Sequence, residues 1–299
     1  MNQKEIETFG HRLAECSRTK QQIDQPSVTY PDITYDEAYA IQEVMVQDLV
    51  RSGWTISGKK VGLTSEAMRK AANIYEPDYG YAFHQRCFDN GVTLAMDDFL
   101  APRIECELAF RLKNDLDGEH ISREQVLDAT EYVVACMEVV DFRIFRDKVQ
   151  RLVQDSIADN AAFGAYILGD VPLKPGQVDL TLVPYIFEIN HRQQEVSCGA
   201  AVYNDPAKSV AWLAERFTQL GNPLKAGEII LGGGPGGGLP ALYLRPLWGS
   251  KLQLCVVDRE SDVKTWPYPK KLSPNWWSSP WTANTTTTPS TSFARPTRS

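Results

Sequence analysis

A carboxylate in the middle of an apolar run is the strongest constraint that this sequence places on its fold. Residues 133–140 read VVACMEVV, and Glu138 is the one charged residue among them. The apolar, β-branched character of the run predicts a strand in the protein interior. An unpaired carboxylate buried there would carry a heavy desolvation cost, so the fold has to bring a compensating group to Glu138.

Two further acids share one face of a second predicted strand. In the segment RIECELAF, residues 103–110, alternation directs Glu105 and Glu107 to the same side. Two residue rises separate them by about 7 Å along the strand, close enough to share one cation. The alternative is an ordinary half-exposed strand with alternating polar residues, and from Glu105 and Glu107 alone that alternative is the stronger one.

If the three acids converge, their repulsion raises their pKa values unless a divalent ion neutralises them. The four histidines and six cysteines show no metal-ligand spacing, so any metal must be held by oxygen. Oxygen ligation selects Mg²⁺ or Mn²⁺. For Glu138, a salt-bridged core acid is the competing interpretation.

A lysine pair and a turn aspartate are further candidates for chemistry. Lys59 and Lys60 begin KKVGLTS, where strand alternation predicts that one side chain points inward and the other to solvent. An inward lysine near three acids would neutralise one of them or serve as a charged donor or proton relay. Asp78 lies in EPDYG and could be a base. A surface lysine pair and an ordinary turn aspartate are the alternatives, and pattern alone favours them.

Composition excludes several classes of function. The 299 residues carry a net charge of −7, so the chain offers no basic field for nucleic acid. No apolar run approaches the roughly 18 residues of a membrane helix, and the N-terminus lacks the apolar region of a secretory signal. The scattered cysteines are typical of buried free thiols in a reducing compartment. A cytoplasmic protein without nucleic-acid or membrane partners is therefore predicted.

Helical signals are strongest at the N-terminus. Residues 2–19 repeat apolar side chains every three or four positions, which is typical of an amphipathic helix. Capping residues predict further helix starts at Thr34, Ser122 and Asp205. Between these helices the chain is rich in short β-like runs without a regular βαβ order, so an α+β fold is predicted.

The chain divides into three predicted regions. Residues 1–55 form a helical region, residues 56–247 a β-rich catalytic domain, and residues 248–299 an atypical tail. The tail contains five of the seven tryptophans and the tract TANTTTTPSTSFARPTRS, which predicts disorder.

Seven motifs in consistent order carry a resemblance to a known family. They are GKKVGLTS (58–65), EPDYG (76–80), PRIECELAF (102–110), MEVVDFRI (137–144), DSIADNAAFGAYILG (155–169), NDPAKSVAWLA (204–214) and GEIILGG (227–233). Together they resemble the 2-keto-4-pentenoate hydratase, 2-oxohept-4-ene-1,7-dioate hydratase and 4-oxalocrotonate decarboxylase family of meta-cleavage aromatic degradation. That family is related to the fumarylacetoacetate hydrolase fold. The likeness spans residues 3–233.

The resemblance implies a site and a fold. Glu105, Glu107 and Glu138 correspond to the family's metal-binding acids, Lys60 to its active-site lysine, and Asp78 to the acid of its nearby turn. The implied cofactor is Mg²⁺ or Mn²⁺. The implied fold is a mixed β-roll preceded by helices, in a homo-oligomer, with association with the pathway's partner hydratase or decarboxylase left open.

The implied reaction is addition of water to a 2-hydroxydienoate or its 2-oxo tautomer, giving a 4-hydroxy-2-oxo acid. Three alternatives remain at this point. Two are the decarboxylase and the vinylpyruvate-type hydratase of the same family. The third is a non-catalytic partner subunit.

The resemblance weakens after Gly233. The next residues give GGGPGGG at 232–238, whose formal GxGxxG is followed by proline-interrupted sequence instead of a helix, so a dinucleotide site is rejected. The change in composition suggests the hypothesis that the reading frame shifted near codon 234 and replaced the closing strands, which would expose a sheet edge.

Overall fold

The computed structural model describes residues 1–71, 74–189, 192–235, 242–243, 251–256 and 280–284. These residues contain seven α-helices and thirteen β-strands. The helices are α1 (Gln3–Thr19), α2 (Pro26–Thr29), α3 (Tyr35–Arg51), α4 (Glu66–Ala71), α5 (Arg123–Ala129), α6 (Val153–Ala158) and α7 (Pro206–Gln219). The strands are β1 (Ile56–Gly62), β2 (Asp78–Phe83), β3 (Cys87–Asp89), β4 (Thr93–Ala95), β5 (Pro102–Leu112), β6 (Thr130–Asp141), β7 (Phe163–Leu168), β8 (Pro184–Ile189), β9 (Arg192–Cys198), β10 (Ile229–Leu231), β11 (Leu242–Tyr243), β12 (Lys251–Val256) and β13 (Pro280–Asn284).

The predicted helix starts are confirmed by their caps. Thr34 and Ser122 each accept a hydrogen bond from the backbone N–H three residues on, and the residue there returns one, which forms a capping box. Asp205 accepts from the N–H of Ala207 at the start of α7. These interactions satisfy backbone donors that have no partner inside the helix, so a few residues of local sequence suffice to set each start.

The strands form two sheets in the described part of the chain. Eight strands make the larger sheet, in the order β2-β1-β10-β5-β6-β7-β3 with β11 also paired to β5. Five strands make the smaller sheet, in the order β4-β12-β13-β8-β9. Parallel and antiparallel neighbours occur in both, as the predicted mixed sheet requires.

The prediction that one lysine of the pair points to solvent is wrong. Strand β1 lies inside the larger sheet with both faces covered, and Lys59 and Lys60 are both buried. Lys59 forms an ion pair with Glu228 and lies 5.1 Å from the centre of the Phe217 ring. Lys60 occupies the opposite face. Alternation holds, but the helix α7 covers the face that the sequence assigned to solvent.

The N-terminal helices share one hydrophobic core with the sheet. Buried residues of α1 and α3 belong to the same cluster as those of β5, β6 and β7. Asp155 in α6 is fully buried. It accepts hydrogen bonds from Gln25, which precedes α2, and from Ser27 within α2. The region 1–55 therefore packs directly against the β-rich part, and the proposed domain division remains a prediction.

Strands beyond Gly233 pair with earlier parts of the chain. Strand β11 pairs with β5, β12 with β4, and β13 with β8. The prediction of a disordered tail falls on residues 248–299, of which β12 and β13 are described and the others lie outside the described residues. It stays a prediction, as does the frameshift hypothesis. None of the helices in the described ranges has the length and apolar character to cross a membrane.

Candidate metal centre

The three acids singled out in the sequence come together on the β5–β6 pair. These strands are antiparallel, and Glu105 lies directly opposite Glu138. Glu107 follows two residues later on the same face of β5. One carboxylate oxygen from each of the three lies within 4.8 Å of the others. The register of two long strands, rather than any local motif, produces this cluster.

Burial distinguishes the three carboxylates. Glu138 and Glu107 are 0% and 1% exposed, whereas Glu105 is half-buried. Glu107 accepts a hydrogen bond of 3.1 Å from the backbone N–H of Gly233. Oε1 of Glu138 is in ion-pair contact with Lys60, whereas Oε2 has no hydrogen-bond partner among the described residues. A buried carboxylate oxygen in that state leaves a place for a further cationic ligand.

The electrostatics of the cluster agree with its geometry. Burial raises the pKa of Glu138 to about 7, although the neighbouring Lys60 charge opposes the shift. Burial, reinforced by the charge of Glu138, raises the pKa of Glu107 well above its usual range. These carboxyl groups resist ionising together, and a divalent cation would remove that resistance.

Lys60 provides the one positive side chain recorded in ion-pair contact with this cluster among the described residues. Its Nζ lies 2.9 Å from Oε1 of Glu138 and donates a 2.9 Å hydrogen bond to the carbonyl oxygen of Ala161. Burial alone would lower the pKa of Lys60. The charges of the surrounding acids, Glu138 first and Asp78 second, outweigh burial and raise it. Lys60 is therefore held as a charged donor.

Asp78 stands at the start of β2, opposite Gly62 of β1. It is 4% exposed, and its Oδ1 has no hydrogen-bond partner among the described residues. Burial raises its pKa, while the charges of Lys60 and Arg151 lower it. A Cβ on Gly62 would lie 2.0 Å from this oxygen, so only glycine leaves room for the Asp78 carboxylate.

A strained turn positions the acceptor of Lys60, and sequence reasoning missed it. Asn160, Ala161 and Ala162 all have positive φ, at 53°, 47° and 56°. The Asn160 side chain accepts from the N–H of Tyr81 and donates to its carbonyl oxygen, which ties the turn to β2. Left-handed alanines are costly and persist only where surrounding contacts fix them. The only available signal was the segment DNAA inside a family-like motif.

Gly233 is the second group whose role sequence reasoning missed. Its φ is 90°, and a Cβ there would lie 2.2 Å from Cγ2 of Thr64. Thr64 in turn donates a 2.7 Å hydrogen bond to the carbonyl oxygen of Gly234. The glycine run has only the formal pattern of a dinucleotide-binding loop, and in the structure it directs the backbone N–H of Gly233 at Glu107.

A cavity of about 300 Å³ opens beside the acids. Lys60, Asp78 and Glu105 line one part of it, and Tyr185 and Glu195 of the smaller sheet line another. The donor set at its wall consists of carboxylate oxygens, which suit a hard divalent ion. A small anionic molecule in the cavity would reach both such an ion and the Lys60 and Asp78 side chains.

Comparison with known proteins begins with a family model. The model described as the fumarylacetoacetate hydrolase C-terminal domain matches residues 62–258. The match therefore extends beyond Gly233, where the motifs alone placed the end of the likeness. It includes Asp78 and all three glutamates, but Lys60 lies two residues before it.

Curated relatives are similar to this chain over most of their length. The 2-oxo-hept-4-ene-1,7-dioate hydratase of Escherichia coli is 39% identical over 229 residues, which cover 75% of this chain and 86% of the relative. The 2-hydroxyhexa-2,4-dienoate hydratase of Comamonas testosteroni is 37% identical over 76% of this chain and 86% of its own length. The 2-keto-4-pentenoate hydratase of Paraburkholderia xenovorans is 34% identical over 89% of this chain and 96% of its own length.

A solved structure supports the fold. The 4-oxalocrotonate decarboxylase of Pseudomonas putida G7, complexed with magnesium and adipate, superposes with a TM-score of 0.77 at 25% identity. The superposition covers 85% of this chain and 94% of the decarboxylase. These comparisons confirm the predicted α+β β-roll and the resemblance that the seven motifs carried.

Proposed function

This chain belongs to the fumarylacetoacetate hydrolase family, and from that premise we propose that it is a divalent-metal-dependent hydratase. It adds water to a 2-hydroxydienoate or its 2-oxo-enoate tautomer and yields a 4-hydroxy-2-oxo acid in meta-cleavage aromatic catabolism. The proposed substrate is 2-oxohept-4-ene-1,7-dioate, after the relative from Escherichia coli. All three curated relatives described above are named as hydratases of short 2-oxo or 2-hydroxy enoic acids, which supports this class of reaction.

The observation that carries the proposal is the convergence of Glu105, Glu107 and Glu138 beside a cavity. One oxygen from each lies within 4.8 Å of the others, and the buried Oε2 of Glu138 has no hydrogen-bond partner among the described residues. A structural ion pair alone would leave this three-acid cluster with one lysine for charge compensation. A resident divalent cation accounts for all three acids.

Glu105, Glu107 and Glu138 would hold the ion, and Mg²⁺ or Mn²⁺ is the proposed identity. The magnesium in one decarboxylase structure and the calcium in another support a hard divalent ion without selecting one. When bound, the ion would supply Lewis acidity to the carboxylate and C2 oxygen of a 2-oxo acid.

The remaining chemistry belongs to side chains of this chain. Hydration of a 2-hydroxydienoate requires a proton at C5 and loss of the 2-hydroxyl proton, which gives a 3-ene conjugated to the C2 ketone. Water then adds its oxygen to C4 and a proton to C3. Each step moves a proton between a carbon and an oxygen, so a charged donor and a nearby acceptor are required.

Lys60 and Asp78 are the proposed proton-moving groups. Lys60 is buried and positively charged, and its ammonium group is fixed between Glu138 and the Ala161 carbonyl oxygen. Asp78 is buried, its Oδ1 has no hydrogen-bond partner among the described residues, and burial raises its pKa, which suits a carboxyl group that exchanges protons. The Lys60 ammonium would donate to the developing enol system, and Asp78 would accept a proton from water.

A dienoate assay tests the proposal. Loss of dienoate absorbance is measured on substrates of different length, with Mg²⁺, with Mn²⁺ and with a chelator. We expect metal-dependent turnover in the wild type and at least a hundredfold loss in Glu107→Gln, because the ligand charge is removed while the fold is kept. The matched control is Glu131→Gln at the exposed start of the neighbouring strand β6. Chelator-resistant turnover, or full activity of Glu107→Gln, would overturn the assignment.

Decarboxylation is the second candidate reaction. The superposition on 4-oxalocrotonate decarboxylase favours it as an alternative, since that enzyme shares the fold over most of this chain. Product analysis separates the two, because a decarboxylase releases CO₂ whereas a hydratase retains every carbon and gains water. A vinylpyruvate hydratase would instead prefer the shortest dienoate in the series.

Assembly is a further part of the proposal. We propose a homo-oligomer, and light scattering of the purified chain tests it. If the chain is an inert partner subunit, activity will appear only when the pathway's partner enzyme is added.

A further inference from the structure

Three arginines line the cavity beside the acids. They are Arg103 on β5 and Arg146 and Arg151 on the segment that joins β6 to α6. Arg103 precedes Glu105 by two residues on the same face of β5, which places it about 7 Å further along the strand. The cavity wall therefore combines carboxylates with arginines, and Arg103 is displaced from Glu105 along β5.

One aromatic ring gathers the three guanidinium groups. Phe142 is 5% exposed, and the guanidinium carbons of Arg146, Arg103 and Arg151 lie 4.1, 5.7 and 5.8 Å from its ring centre. Nε and Nη1 of Arg146 are themselves buried. Arg151 also donates a hydrogen bond to Ser156. Cation–π contact with a fixed ring limits the rotamers of all three side chains before any ligand arrives.

A second observation points to a bound molecule in the same cavity. The hydroxyl of Tyr185 lines the cavity, is buried and has no hydrogen-bond partner among the described residues. Buried hydroxyls normally have a partner, so an acceptor atom of a ligand is the simplest one. Apolar side chains, including Ile104, Val140 and Phe187, cover further wall and suit a short hydrocarbon chain.

The chemistry of this arrangement selects a particular ligand. Planar guanidinium groups match the geometry of a carboxylate and can bind it through paired hydrogen bonds. A substrate with one carboxylate would use only the acid-lined part of the cavity, where the proposed metal binds its 2-oxo acid head. A substrate with a second carboxylate at its far end would also reach the guanidinium groups that line the cavity.

We propose that Arg103, Arg146 and Arg151 form a second carboxylate site, so that this chain selects 2-oxo-alkenedioates over 2-oxo monocarboxylic acids of the same length. The inference rests on the proposed function for the identity of the substrate head. It also assigns a role to three residues that lie outside the metal-binding and proton-moving groups.

Direct binding tests the site without turnover. Isothermal titration calorimetry with Mg²⁺ present compares adipate, a dicarboxylate, with hexanoate, a monocarboxylate of the same carbon number. We expect adipate to bind at least tenfold more tightly than hexanoate. In Arg103→Met and Arg146→Met, we expect this preference to fall about tenfold to a hundredfold, as for the loss of a charged hydrogen bond. Equal wild-type affinities, or no adipate binding, would overturn the proposal.

The control variant removes a charge from the same segment outside the cavity. Lys148 is exposed, lies over the Phe145 ring and pairs with Asp24, so Lys148→Met should bind both acids as the wild type does. Arg146→Lys keeps the charge without the planar fork and should lose part of the preference. Thermal unfolding identifies any variant that fails to fold, and the remaining arginine variants then decide the outcome.

Kinetics distinguish failure of this inference from failure of the proposed function. The ratio of kcat/KM for 2-hydroxyhepta-2,4-diene-1,7-dioate to that for 2-hydroxyhepta-2,4-dienoate should exceed ten in the wild type. Arg146→Met should reduce the ratio at least tenfold, mainly through KM of the dioate. Turnover with a ratio near one in the wild type overturns only the arginine site. An arginine-dependent adipate preference without any dienoate turnover overturns only the proposed hydratase function.

Discussion

Neighbouring lysines on one strand have different surroundings. Lys59 pairs with Glu228 and contacts the Phe217 ring on the face covered by α7. Lys60 lies among the acids on the other face and contacts Glu138 and the Ala161 carbonyl oxygen. Both are buried, so burial alone does not single out the lysine that we propose moves protons. The neighbours of each ammonium group do, because only Lys60 can reach the cavity.

We therefore expect substitution of Lys60 to affect catalysis and substitution of Lys59 to affect stability. Lys60→Met should lower kcat about a hundredfold or more while a folded, metal-binding protein remains, since a positioned proton donor contributes roughly 10²–10⁴ in rate. Lys59→Met should lower the free energy of unfolding by about 3 kcal/mol, as for a broken buried ion pair, with kcat nearly unchanged. Urea denaturation and steady-state kinetics on both variants measure this. A fully active Lys60→Met would contradict the assigned role.

Elements, rather than single residues, set the distances in the site. The β5–β6 register puts Glu105 opposite Glu138, and the β1–β2 register puts Gly62 opposite Asp78. A shift of one residue in either pair would move the side chains of a strand to the opposite face and disperse the acids. The missing side chain at Gly62 is part of that arrangement, since the Asp78 carboxylate occupies the space of its Cβ.

We predict that Gly62→Ala acts on activity through Asp78. The added methyl group would lie 2.0 Å from the Asp78 oxygen and must displace it, so kcat should fall about tenfold to a hundredfold. The comparison variant is Gly221→Ala, whose φ is +69° and whose Cβ would meet nothing within 4 Å. It should cost about 1 kcal/mol of stability and leave kcat unchanged. Equal kcat values in the two variants would refute the steric argument.

At the scale of the whole molecule, buried ionic groups join the helical region to the sheets. Asp155 binds Ser27 and Gln25, and Asp159 accepts from both the backbone N–H and the side chain of Arg143. Arg143 also donates to the carbonyl oxygens of Asp159 and Phe163. These contacts connect segments that lie next to each other only in the folded protein, so their charge states affect global stability.

The pH dependence of stability should reveal Asp159. Burial raises its pKa to about 6 from 3.8, although Arg143 opposes the shift. The native state therefore binds more protons than the unfolded state between these values, so stability falls as pH rises through this window. The shift corresponds to at most about 3 kcal/mol. Urea denaturation from pH 4 to 7 should show a loss of stability that is smaller in Asp159→Asn than in the wild type, by the contribution of Asp159.

Asp128→Asn is the matched control, because Asp128 is exposed on α5. Its pH profile should follow the wild type. Glu107 and Glu138 contribute equally to the stability of the wild type, Asp159→Asn and Asp128→Asn. The difference between their stability–pH profiles therefore isolates the contribution of Asp159. A wild-type profile parallel to that of Asp159→Asn would rule out the raised pKa.

The sequence alone determined the features that depend on a few neighbouring residues. Caps at Thr34, Ser122 and Asp205 placed helix starts, alternation placed Glu105 and Glu107 on one face, and the apolar run marked Glu138 as a buried acid. The order of seven motifs identified the family because a shared fold preserves local sequence at shared positions. Each of these conclusions needed no knowledge of long-range contacts.

Only the tertiary structure decided what surrounds those residues. It showed that α7 buries Lys59, that Gly233 donates to Glu107 across 126 positions, and that a left-handed turn at Asn160 holds the acceptor of Lys60. It also gathered distant arginines around one phenylalanine. Such contacts form only when the strands and helices pack together, and the free energy of this packing is distributed over the whole core. No short segment of sequence therefore specifies them.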